Sequence, residues 1–186
     1  HNLSKSYGSL EIFTAVDLAI DRGSKVVILG LNGAGKTTLL RILAGLATAT
    51  AGNLRVLGQS PSETGPSWRN NMVYIGHANA LKDDLSAAEA LSFLAGLRGQ
   101  TPSTAQIKQA LERLGVVHRW RAPVRTLSQG QRRRVALARL ALPQAPKLWL
   151  LDEPFDALDD VGIATLNELL SAHSESGGAA LLTSHQ

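Results

Sequence analysis

Apolar positions along the chain change period several times, and each change predicts an element. Val16, Leu18 and Ile20 alternate with Asp17 and Ala19, so residues 1–24 read as paired extended segments closed by an Asp21-Arg22-Gly23-Ser24 turn. Lys25-Val26-Val27-Ile28-Leu29 is a short β-branched run, the pattern of a buried parallel strand. Leu39, Ile42, Leu43 and Leu46 then fall at i, i+3, i+4 and i+7, the stripe of an amphipathic helix. Asn53–Leu57 reads as a further short strand, Ser60–Ser67, with Pro61, as a polar loop, and Met72–Ile75 as a strand leading into Gly76-His77.

From about Leu81 the period turns helical. Ser86-Ala87-Ala88-Glu89 is a capping-box pattern that opens a helix running to about Arg98. Thr101-Pro102 opens a second, with Ile107, Leu111 and Leu114 inward and Gly115 as its stop. A third follows Ser128-Gln129-Gly130 and runs to about Leu142, ended by Pro143. Leu148–Leu151 is a buried strand, Gly162–His173 a helix and Ala179–Thr183 a last strand. The alternation is that of an α/β domain: a core of residues 1–80 and 141–186 interrupted by a helical subdomain at about 81–140.

Composition narrows the function classes only slightly. The 186 residues, 44% apolar, suffice for one domain with a subdomain. The net charge of +4 comes from 19 basic and 15 acidic residues, and Arg132-Arg133-Arg134 supplies much of it. That excess reads as a solvated helix face, and no nucleic-acid partner is expected. The absence of cysteine excludes disulfides and thiol ligation. No apolar run reaches the roughly 18 residues needed to span a bilayer. The chain opens on His1 rather than Met and stops at Gln186 after a strand-like run, so it reads as trimmed at both ends.

The chemistry concentrates between the first predicted strand and helix. Gly30-Leu31-Asn32-Gly33-Ala34-Gly35-Lys36-Thr37 satisfies G-x-x-x-x-G-K-[ST], in the strand–turn–helix context that a phosphate loop requires. Gly30, Gly33 and Gly35 permit backbone conformations closed to other residues, so that main-chain N–H groups, those of Leu31, Asn32, Ala34 and Thr38 among them, can close around phosphate oxygens. Lys36 brings a cation to the β/γ-phosphates, the Thr37 hydroxyl can ligate Mg²⁺, and the helix N-terminus adds its partial positive charge. Leu148–Leu151 ends in Asp152-Glu153. Beside the phosphate loop, Asp152 can hold Mg²⁺ and Glu153 can orient the attacking water. Adjacent carboxylates on an extended chain point to opposite sides, which suits separate jobs.

Leu127-Ser128-Gln129-Gly130-Gln131 adds a third motif, and here the sequence resembles the ABC ATPase family, whose signature is LSGGQ or a close variant. The resemblance covers nearly the whole chain. It implies a P-loop NTPase with a mainly parallel sheet, N-terminal antiparallel strands and a helical subdomain. Gly30–Thr37 then stands as Walker A, Leu148–Asp152 as Walker B, Glu153 as the catalytic glutamate and Ala157-Leu158-Asp159 as the D-loop. Tyr7 takes the place of the adenine-stacking aromatic ring, and His185 that of the switch histidine at the γ-phosphate. The family's architecture further implies a homodimer with ATP sandwiched between protomers, Ser128, Gly130 and Gln131 acting in trans. Gln129 departs from the commonest glycine. His1, His118 and His173 receive no role, and Trp120 and Trp149 read as core.

ABC ATPases usually carry a glutamine near position 77, yet Tyr74-Ile75-Gly76-His77-Ala78-Asn79-Ala80-Leu81-Lys82 contains none. Either His77 or Ala78 stands there; an imidazole could ligate metal or donate a hydrogen bond, whereas alanine would leave that contact missing. The Gly76-His77 pair resembles the ATP-binding subunit of the cytochrome c maturation haem exporter. The run Arg132–Leu140, Leu151–Asp159 and the ending Gly177–Gln186 fit that subfamily as well. The resemblance implies an ATPase on the cytoplasmic face of the inner membrane, driving separate integral membrane permease subunits with MgATP. The same motifs admit an ABC ATPase for another cargo, or a soluble one acting on ribosomes. No sustained heptads lie between Walker A and signature, as the DNA-repair type would need.

Overall fold

The computed structural model describes residues 1–56, 58–60, 65–143 and 146–185. The chain divides into two units, one of residues 1–76, 146–154 and 174–186, the other of residues 77–145 and 155–173.

The first unit carries the strands. β1 (Leu3–Tyr7) and β2 (Leu10–Val16) form an antiparallel pair. β3 (Lys25–Leu29), β4 (Met72–Ile75), β5 (Leu148–Leu151) and β6 (Ala179–Ser184) form a parallel sheet in the order β3-β6-β5-β4. β5 is buried along its whole length, and Ala180, Leu181 and Leu182 of β6 are buried too, which explains their unbroken apolar sequence. α1 (Lys36–Leu43) buries Leu40 in the cluster formed by Leu148, Leu150, Leu181, Met72 and Trp68, and Leu39 and Ile42 against Leu3. Because the sheet is parallel, the carboxyl ends of β3, β5 and β6 lie along one edge, and Gly30, Asp152-Glu153 and His185 follow them directly. That edge is where open α/β sheets receive ligands.

The second unit holds α2 (Ala87–Gly96), α3 (Thr104–Arg113) and α4 (Gln129–Leu137). Each of these helices starts on a serine capping box: Ser86 with Glu89, Ser103 with Gln106 and Ser128 with Gln131. Such a cap stabilises a helix by about 1 kcal/mol. The apolar faces Ala90-Leu91-Leu94, Ile107-Leu111 and Val135-Leu137 are buried. α5 (Asp160–Glu175) starts in this unit and buries Leu166 and Leu170.

Several expectations are corrected. Leu46 is not part of the α1 stripe: the helix stops at a Schellman motif, in which Leu46 N–H donates to the Arg41 carbonyl and Gly45 N–H to that of Ile42, Gly45 lying at φ +68°. Leu46 is consequently exposed. The alternation through Leu18 and Ile20 reports packing against the core rather than pairing, since β2 ends at Val16. Asn53–Val56 form no strand; Val56 makes only an isolated bridge to Gln59. Leu57, Pro61 and Gln186 lie outside the described residues, and Gly65–Asn71 coil as a 3₁₀ helix. The second helix opens at Ser103, whose hydroxyl accepts from Gln106 N–H, not at Thr101-Pro102. The third tightens into a 3₁₀ turn over Ala138–Ala141. Trp149 is buried, but Trp120 is half-exposed, its ring faced by the Lys108 ammonium at 4.1 Å and the Arg121 guanidinium at 4.6 Å.

Candidate functional site

The loop between β3 and α1 is shaped by glycines at specific places. Gly33 and Gly35 lie at φ +83° and +85°, a region L side chains rarely adopt. A Cβ on Gly35 would also sit 2.8 Å from Ile12 Cγ2. Gly30 differs from the expectation: its φ is not positive and an added Cβ would meet nothing closer than Ala34 Cβ at 3.5 Å. The conformational demand therefore falls on Gly33 and Gly35. Unlike α2, α3 and α4, α1 has no side-chain cap, and unlike α2 it has no acidic residue in its first turn. Its leading N–H groups and partial positive charge thus remain for an anion. Leu31, Asn32, Gly33, Ala34 and Thr37 are exposed around them, and Thr38 is half-buried.

Lys36 is 8% exposed and donates to the carbonyls of Gly30 at 2.6 Å and Leu31 at 3.2 Å. Its Nζ also lies 3.5 Å from Glu153 Oε1. Thr37 Oγ1 donates to Asp152 Oδ2 at 2.8 Å, which binds the start of α1 to the end of β5. A hydroxyl and a carboxylate side by side are the hard oxygen donors that suit Mg²⁺. Asp152 is 1% exposed, and its Oδ1 accepts from Thr183 Oγ1 at 2.7 Å. Burial, then the Asp152 charge, pushes the Tyr74 phenol above its ordinary value.

Glu153 faces other partners. Its Oε2 lies 3.1 Å from His185 Nδ1 and its Oε1 faces Lys36, while its backbone sits at φ +46°. The two consecutive carboxylates therefore do point to different partners: Asp152 to hydroxyls, Glu153 to nitrogens. Thr183 was missed by sequence reasoning. Its one available signal is a hydroxyl at the end of the otherwise apolar run Ala179–Leu182.

In the second unit, Ser128 Oγ accepts from Gln131 N–H at 3.2 Å, and Gln131 Oε1 from Ser128 N–H at 3.1 Å. Gly130 is required by space: a Cβ there would lie 2.8 Å from the Ala157 carbonyl oxygen. Gln129 is exposed, which explains why its departure from glycine is accommodated. Arg134 of α4 donates to Asp159 Oδ1, and to the Leu114 carbonyl at 2.6 Å. Gly162 N–H donates to the same Asp159 oxygen at 2.8 Å, and this bond first, with Arg134 after, holds the carboxyl below the usual range. His77 is exposed, with Nδ1 3.7 Å from Asp156 Oδ2, and Ala78 is exposed beside it. In the first unit Tyr7 is exposed, with the Lys5 ammonium 4.4 Å over its ring. No helix among the described residues is long and apolar enough to cross a membrane.

Comparison with known proteins places this geometry. The family profile described as ABC transporter matches residues 13–156. The cytochrome c biogenesis ATP-binding export protein CcmA of Albidiferax ferrireducens is 44% identical over 184 residues, covering 99% of this chain and 87% of that protein. Its namesake from Xanthomonas axonopodis pv. citri is 46% identical over 189 residues, covering 100% and 85%. Among solved structures, an ATP-binding subunit of an ABC transporter superposes with TM-score 0.87 at 28% identity, covering 99% of this chain and 77% of that one. The dimeric post-hydrolysis state of the ATP-binding cassette MJ0796, bound to ADP and Pi, gives 0.89 at 25%, covering 100% and 86%. A profile match over residues 13–156 and relatives at 44–46% identity across nearly the whole chain show that the chain belongs to the ABC transporter family and is an ABC-type ATPase.

Proposed function

We propose that this ATPase powers the haem exporter of cytochrome c maturation, cycling between a closed homodimer with ATP between the protomers and an open state after hydrolysis. The observation that carries the catalytic part is the division of partners at the end of β5: Asp152 on Thr37, Glu153 on Lys36 and His185. Lys36 and the N–H groups of Gly30–Thr38 bind the phosphates. Thr37 and Asp152 would hold Mg²⁺, which would supply positive charge to offset the negative charge developing during phosphoryl transfer. Glu153 orients the attacking water and accepts its proton. The water oxygen bonds to the γ-phosphorus, the bond to the β,γ-bridging oxygen breaks, and ADP and phosphate leave. His185, anchored on Glu153, supports the γ-phosphate. Tyr7 stacks on adenine, and Ser128, Gly130 and Gln131 close on the partner protomer's ATP. Either His77 or Ala78 takes the place of the family's usual glutamine.

One ABC domain then serves, with a core of 1–80 and 141–186 and a helical subdomain at about 81–140. Closure is driven by differential affinity, since ATP bridges the closed state and ADP does not. The cargo assignment is supported by the CcmA relatives and implies permease subunits, with this protein peripheral on the cytoplasmic face of the inner membrane. The test is a mild-detergent pull-down of the full-length protein from its own membranes, read by mass spectrometry. Haem-exporter membrane subunits are expected. Another permease would discard the haem assignment, and ribosomal proteins without a membrane partner would overturn transport.

A further inference from the structure

We propose that Thr183 is a positioning residue of the ATPase: its buried hydroxyl fixes both the Asp152 carboxylate and the backbone N–H of Glu153. The proposal rests on the roles assigned to those two acids above. Thr183 is 1% exposed, within the apolar strand β6. A threonine hydroxyl has one proton to give and lone pairs to receive. The proton goes to Asp152 Oδ1 at 2.7 Å, and a lone pair accepts Glu153 N–H at 3.0 Å. Strand register makes this possible. β6 pairs with β5 through Leu182 and Leu151, so the next residue on each strand, Thr183 and Asp152, comes level at the sheet's carboxyl edge.

Two consequences follow for the acids. Asp152 is held at both oxygens, Oδ1 by Thr183 and Oδ2 by Thr37, so its carboxylate plane cannot rotate away from the Thr37 hydroxyl. Glu153 lies at φ +46° immediately before Pro154, where an extended backbone is favoured. Such a conformation persists only when its surroundings impose it. The bond from Glu153 N–H to Thr183 is one such constraint, and it sets where the Glu153 side chain leaves the backbone. One hydroxyl on β6 therefore aligns two acids with different partners, which an apolar residue of equal volume could not do.

The experiment compares Thr183→Val, which keeps the shape and loses the hydroxyl, with Thr183→Ser, which keeps the hydroxyl. Glu153→Gln serves as reference for the site itself. Steady-state turnover is measured alongside a Mg²⁺ titration of the melting temperature in the presence of ATP. Thr183→Val is expected to need about tenfold more Mg²⁺ for half of the melting shift and to lose about tenfold in kcat, the scale of losing a group that orients a ligand. KM for ATP should be unchanged, and Thr183→Ser should restore both readouts. Should the valine variant not fold, Thr183→Cys, of similar size with only a weak hydrogen-bonding thiol, carries the same expectation. A valine or cysteine variant with wild-type Mg²⁺ dependence and kcat, or a defect that serine does not repair, overturns the proposal. Unchanged turnover in Glu153→Gln would instead overturn the site on which it rests.

Discussion

Exchanging Glu153 for glutamine keeps the side chain's shape and removes one negative charge from a site where that charge has two cationic or potentially cationic neighbours. Its Oε1 lies 3.5 Å from Lys36 Nζ and its Oε2 3.1 Å from His185 Nδ1, with the side chain 14% exposed. At an effective dielectric near 20, the gross attraction to Lys36 is about 5 kcal/mol. Desolvation of both groups offsets most of that. Lys36 also keeps the carbonyls of Gly30 and Leu31 at 2.6 and 3.2 Å. The fold should therefore lose only about 1–3 kcal/mol, the cost of one partner removed from a buried pair. Chemistry should suffer more. A carboxamide is a poor proton acceptor, and losing a positioned base costs about 10²- to 10⁴-fold, or roughly 3–5 kcal/mol of barrier. ATP binding moves the other way, because the Lys36 ammonium no longer shares its charge with a carboxylate. The expected outcome is kcat lowered at least about a hundredfold, ATP affinity undiminished, and a closed dimer accumulating with MgATP. Single-turnover phosphate release, equilibrium nucleotide binding and size-exclusion chromatography read the three in turn. A folded variant turning over near the wild-type rate would refute the role of Glu153. ATP affinity falling in parallel with kcat would make it part of the binding cradle instead.

Lys36→Ala removes a charged donor from the phosphate loop and should weaken nucleotide binding by about 10- to 100-fold, measured by calorimetry; unchanged affinity would count against the loop assignment. Gly130→Ala places a Cβ 2.8 Å from the Ala157 carbonyl oxygen, so the Ala157-Leu158-Asp159 backbone must shift. Because a misplacement of about 1 Å can cost about a hundredfold, turnover should fall by roughly tenfold while nucleotide binding to the monomer persists. Gln129→Gly, at an exposed position, should leave turnover unchanged. Asp159→Asn tests a pH dependence. The Asp159 carboxyl is held below its ordinary value by Gly162 N–H and then Arg134. Its stabilising effect is thus full above the unfolded value of about 3.9 and lost as pH falls through the lower folded value. The melting-temperature gap between wild type and variant should be largest near neutrality and close in acid; a gap independent of pH would refute the linkage.

What could be read from the chain was what local chemistry decides. The glycine-rich loop with its flanking strand and helix is specified by residues adjacent in sequence, because glycine freedom, β-branching and the helical repeat all act over a few positions. The capping box at Ser86 was visible for the same reason. The expected burial of Lys25–Leu29 is not found: β3 ends the order β3-β6-β5-β4, with Val27 and Leu29 exposed. The box at Ser103 was overlooked because Thr101-Pro102 offered a competing start, though S-x-x-Q stands in the sequence as plainly as S-x-x-E. Leu46 fitted the stripe of α1 but not the stop imposed by Gly45, and a periodic pattern does not know where its helix ends. Trp120 shows the limit of reading aromatic residues as core: Lys108 from α3 and the adjacent Arg121 face its ring, contacts that apolar periodicity does not report.

The chemistry at the end of β5 was half legible for a physical reason. Asp152 and Glu153 do face different partners, but not by the alternation of an extended chain: both lie beyond the end of β5, and Glu153 sits at φ +46°. Which groups wait on each side depends on the order β3-β6-β5-β4 and on its register, neither of which is written locally. That order sets β6 between the strand leading to the phosphate loop and the strand bearing the acids. A hydroxyl on β6 can consequently reach Asp152 and Glu153 N–H, and the histidine two residues later can reach the Glu153 carboxylate. In the sequence Thr183 looks like a polar interruption at the end of an apolar strand. In the sheet it is the residue through which the two acids are held at fixed orientations, so the central strand contributes alignment as well as burial.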